Sequence, residues 1–121
     1  MYGINTLAQA EAALRDAQFV LVNKATESTH RLADYVNEVE EWQGVVAVFA
    51  EWERSLTHIA EFDGDASPER IELEKWKVLT RMALKDTDDT WSGRCNDARR
   101  AYADGRRKAL NKLETNLSYD D

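Results

Sequence analysis

A chain of 121 residues has room for one modest core, not two, and its 43% hydrophobic and 32% charged residues exclude a disordered or membrane-embedded character. The net charge of −7 is unevenly divided: residues 1–90 carry 9 basic and 18 acidic side chains, residues 91–121 carry 7 and 5. Five glycines and one proline leave too little punctuation for many short strands, and the single cysteine, Cys95, excludes an internal disulfide and fits a reducing, cytoplasmic setting.

Residues 1–22 lack the basic start, unbroken apolar run and small-residue cleavage site of a signal peptide. A helix start is written at Thr6-Leu7-Ala8-Gln9, where Thr6 can cap and Gln9 can reach back. From there no glycine or proline occurs before Gly44, and Leu7, Leu14, Leu21, Ser28, Tyr35, Trp42, Phe49 and Leu56 follow one another by sevens. Ala10, Ala17, Ala25, Leu32, Val36 and Val39 fill the stripe. At 100° per residue these positions share one arc, so the expectation is one long N-terminal helix with a single buried face, or two shorter helices if the polar and β-branched stretch Asn23 to Thr29 bends or breaks it.

Val45 to Ala50 is apolar on every side, too short to span a bilayer and without a second strand-like run to pair with. It reads as the most buried helical segment or as a surface that meets a partner. Asp63-Gly64-Asp65-Ala66 is the main break of the chain. Ser67-Pro68-Glu69 then supplies a capping hydroxyl, a proline suited to the first helical turn and an acid at the positive helix end. Ile71, Leu73, Trp76, Leu79, Met82 and Leu84 mark that helix. Asp86 to Thr90 is either a connection or a polar stretch of a helix that runs on. Trp91, Cys95, Ala98, Tyr102, Ala109, Leu113 and Leu117 form a last apolar stripe, with Gly105 on it where a neighbour can come close. Ser118 to Asp121 is expected to fray. The expected fold is all-α: one domain over residues 1–121, a small antiparallel bundle of three to five helices.

Chemistry finds little footing. Glu27 and His30 have the Glu-x-x-His spacing of di-iron bundles, but His58 has Ser55 in place of the acid, so the second copy is missing. Cys95 on an apolar stripe reads as a small hydrophobe rather than a nucleophile. The glycines are isolated, and no phosphate-cradling loop exists. No metal, cofactor or catalytic residue is expected.

Surfaces are more informative. Asp34, Glu38 and Glu41, with Glu40 nearby, make an acidic face that is either solvated or set against a basic partner. Arg99, Arg100, Arg106 and Arg107 make a basic face. Helix-spaced pairs (Asp97 with Arg100, Asp104 with Lys108) and acids elsewhere in the fold account for it more simply than phosphate binding, since the whole chain is acidic. Four tryptophans are many for this length, and Trp42 and Trp52, which bracket the apolar run, are the expected partly exposed anchors. The function expected is that of a non-catalytic module that binds, and inhibits or modulates, another protein. Self-association as a homodimer or scaffold is the alternative, nucleic-acid binding a third, and no membrane role is expected.

Overall fold

The computed structural model describes residues 3–24, 32–62, 68–91 and 97–119, and these form four helices with no strand among them. They are α1 (Leu7–Lys24), α2 (Leu32–Phe62), α3 (Pro68–Trp91) and α4 (Asp97–Tyr119). Helix α1 begins where its sequence says it should. The Gln9 amide donates to Thr6 Oγ1 at 3.2 Å, and Gln9 Oε1 accepts from the Thr6 and Asn5 amides at 3.2 and 2.7 Å. That reciprocal arrangement satisfies backbone donors the helix itself cannot use. A further N–H, that of Leu7, donates to Glu53 of α2 at 3.0 Å, so an anion from a neighbouring helix sits at the positive end of α1.

This contact fixes the first topological point. Leu7 meets Glu53 deep in α2, and α1 packs along α2, so the chain turns back and the two helices run antiparallel. Of the two arrangements the sequence allows, the chain adopts the two-helix one, as a hairpin, and not the single long helix. The sevenfold spacing persists because each helix buries a face of its own, not because the two are continuous. The weak segment, Asn23 to Thr29, falls largely on 25–31, outside the described residues, as does the break at Asp63 to Ser67. Pro68 opens α3 with Glu69 in its first turn, as the sequence indicates. Helix α3 runs through Asp86 to Thr90 and ends at Trp91, so Trp91 closes α3 rather than opening the last stripe. Cys95 lies outside the described residues, and α4 continues to Tyr119, past the expected fraying point at Ser118.

The most extensive contact joins α2 and α4, and it depends on two glycines. A Cβ on Gly44 would stand 2.2 Å from the Tyr102 carbonyl oxygen, and one on Gly105 would stand 1.8 Å from that of Glu41. Backbone thus meets backbone at this crossing. The two helices leave it in the same general direction, because Asn116 of α4 hydrogen-bonds Asn5, two residues from the Leu7 that meets Glu53. In an up-down-up-down order α2 and α4 point the same way, and the missing side chains at Gly44 and Gly105 let this diagonal pair close.

The core lies along that pair. Val45, Val48 and Phe49 are 1%, 0% and 0% exposed, which makes the apolar run of α2 the most deeply buried stretch. Val78, Leu79 and Met82 of α3 and Ala109, Leu110, Leu113 and Leu117 of α4 cover it, and Ala10 reaches it from α1. Among the described residues no helix is long and apolar enough to cross a membrane.

Candidate interaction surfaces

The structure draws one residue of each face, Glu41 and Arg106, into the seam between α2 and α4. Lys108 of α4 is ion-paired with Glu41 of α2, and Arg106, whose side chain is only 14% exposed, lies 3.6 Å from Glu51. Arg107 pairs with Asp104 at 2.9 Å, one step nearer than the Asp104–Lys108 pairing that helix spacing suggests. Lys108 is instead turned across to the neighbouring helix. Part of both faces is therefore an internal seam that helps hold α4 on α2. Asp34 and Glu38 stay exposed and Glu40 half-buried, while Arg99, Arg100 and Arg107 are exposed on α4. Exposed pairs of this kind contribute about 0.2–1 kcal/mol each.

The tryptophans divide differently from expectation. Trp52 is a core residue, 7% exposed, packed among Val48, Phe49 and the α3 and α4 side chains, and is no surface anchor. Trp42 and Trp76 are half-buried against the same core. Its position one helical turn after Val48 puts Trp52 on the buried arc, so flanking the apolar run does not place it outside.

The exposed apolar surface lies elsewhere. Phe19 and Val22 of α1 are 68% and 69% exposed, with Val20 at 39%. Ala10 and Ala17 mark the buried side of α1, and Phe19 points about 180° away from Ala10 at 100° per residue. Ala8, Ala12, Phe19 and Val22 share this outward side, with exposed Arg15 between them. The spacing 8, 12, 15, 19, 22 alternates by four and three, as along a coiled-coil seam. Thus α1 is apolar on two opposite sides and only one is covered by this chain. The signal was present in Phe19-Val20-Leu21-Val22: four consecutive apolar residues sweep about 300° of a helix and cannot share one face. Counting equal steps from the Leu7–Glu53 contact sets Phe19 and Val22 level with residues 38–41 of α2, beside the acidic face. On α3, Leu73 and Leu84 are also exposed, at 54% and 64%.

One groove of about 670 Å³ opens along the seam between α2 and α3, with Ser55, His58 and Ile59 on one wall and Val78, Arg81 and Met82 on the other. Among the described residues no three of His, Cys, Asp and Glu gather as a metal site would require. His30 lies outside the described residues. The geometry defines an all-α helical bundle. Compared with protein-family models, curated proteins and solved structures, the chain finds no match in any of the three.

Proposed function

We propose that the chain is a non-catalytic protein-binding module that modulates, by occlusion, a partner docked on the outer face of α1. The observation that carries this reading is the exposure of Phe19 and Val22, two large apolar side chains about two-thirds open to water on a helix whose other side is already buried. A helix apolar on both sides is normally covered on both sides. Covering Phe19 fully would contribute about 1–2 kcal/mol in transfer free energy alone, and the flanking alanines, Ala8 and Ala12, let a second backbone approach closely. Glu38, at the level of Val22 by the same count, favours a partner with an apolar anchor and a basic rim.

The four-three spacing of the outer stripe favours one further reading, in which the occupant is the same face of a second copy. The test places a photo-crosslinking phenylalanine analogue at position 19 in cells that make the protein, with the same analogue at exposed Glu114 as a control, alongside light scattering of the purified chain. A single foreign adduct from position 19 and a monomer mass support the first reading. A self-adduct with a dimer mass transfers support to the second. A monomer with equal, diffuse adducts from both positions refutes both.

A further inference from the structure

We propose that the groove between α2 and α3 binds a small amphipathic anion, a ligand with a carboxylate or phosphate head and a short apolar body. The site is distinct from the outer face of α1. Its floor is apolar: Val78 and Met82 are 5% and 3% exposed, and Ile59 packs against the same core. Its volume of about 670 Å³ falls in the range of small-ligand sites, roughly 300–1,000 Å³.

Its walls carry charge of both signs, and the ion pairs decide which sign faces the groove. Two carboxylates line it, Glu51 and Glu74. Each has a cationic partner that does not line the groove: Arg106 lies 3.6 Å from Glu51 and Lys77 lies 3.3 Å from Glu74. Two guanidinium groups line it as well, Arg54 from α2 and Arg81 from α3, and among the described residues neither is ion-paired. With each acid paired to a cation outside the lining, the recess presents two arginines from opposite walls and Ser55 beside an apolar floor. Guanidinium forks match the two oxygens of a carboxylate or phosphate, and the floor takes the apolar remainder of the ligand. In a chain of net charge −7, two arginines without an ion-pair partner among the described residues on one recess are the less expected feature.

The test is a titration of the 15N-labelled protein, followed by amide shifts, with octanoate and with hexyl phosphate. Inorganic phosphate and octanol serve as the head-only and tail-only probes. The expected result is a saturable shift of amides in 54–59 and 74–82 for at least one two-part probe, with both single-part probes much weaker. Which two-part probe binds more tightly names the head group. Because both arginines are exposed, Arg54→Gln and Arg81→Gln should each weaken binding about threefold to fivefold, without loss of thermal stability. Affinity should also fall with added salt. The proposal is overturned by octanol binding as tightly as octanoate, by inorganic phosphate binding as tightly as hexyl phosphate, by arginine variants that bind like the parent, or by shifts absent or confined to residues 8–22.

Discussion

Replacing Gly105 by alanine adds one methyl group at the point where α4 touches α2. The added carbon would stand 1.8 Å from the Glu41 carbonyl oxygen and 2.7 Å from its carbon, both backbone atoms that no rotamer change can move aside. Reaching ordinary contact at 3.4 Å requires the helices to separate locally by about 1.6 Å, next to Val45, Val48 and Ala109 in the core. Overpacking of this kind costs about 1–3 kcal/mol, and the upper end applies because the obstacle is main chain. Alanine returns about 1 kcal/mol through its better helix propensity. The net expectation is a loss of about 2 kcal/mol, a fall in Tm of roughly 8 °C for a chain of this length. Unhindered, the same substitution would raise stability by about 1 kcal/mol, so the sign alone is diagnostic. Thermal and urea unfolding followed by far-ultraviolet circular dichroism reads it. Gly44→Ala should behave alike, and because one separation relieves both clashes, the double variant should lose less than the two single losses together. A Gly105→Ala protein more stable than its parent would show that α2 and α4 do not meet at this crossing.

Two smaller perturbations check other joints. Thr6→Ala removes the hydroxyl that accepts from the Gln9 amide and should cost about 1 kcal/mol, visible in the same unfolding curves and as faster amide exchange at residues 8–10. A double-mutant cycle with Glu41→Gln and Lys108→Gln should give a coupling below about 1 kcal/mol that shrinks further in high salt, since the side chains are 31% and 52% exposed. A larger, salt-insensitive coupling would mean that the pair is buried.

What the sequence makes legible is what a few neighbouring residues decide among themselves. The Thr6–Gln9 cap is readable because both partners lie within one turn, and Pro68 at the start of α3 because its ring suits that position. Gly105 is readable as a point of close approach because it interrupts an apolar stripe. Features that depend on which helix lies beside which are not readable this way. Heptad spacing passes unbroken from Leu21 to Tyr35 although the chain reverses between them, because periodicity records that a face is buried and not what buries it. Lys108 has an acid one turn away in Asp104 yet pairs with Glu41, far off in sequence, because the close crossing puts Glu41 within reach. The groove escapes notice for the same reason: Arg54 and Arg81 become neighbours only when α3 lies against α2.

The contact between α2 and α4 also bears on the order in which the chain can assemble. Most helical bundles fold fast because their largest interfaces join neighbouring segments. Here the largest joins segments with the whole of α3 between them, and the hairpin of α1 and α2 is made on the ribosome long before its main cover exists. Until α4 emerges, Val48, Phe49 and Trp52 have no Leu110, Leu113 or Leu117 to pack against. Between the synthesis of α2 and that of α4 this surface has only α1 and α3 to cover it, and the two glycines are what let α4 come close enough to close over the rest.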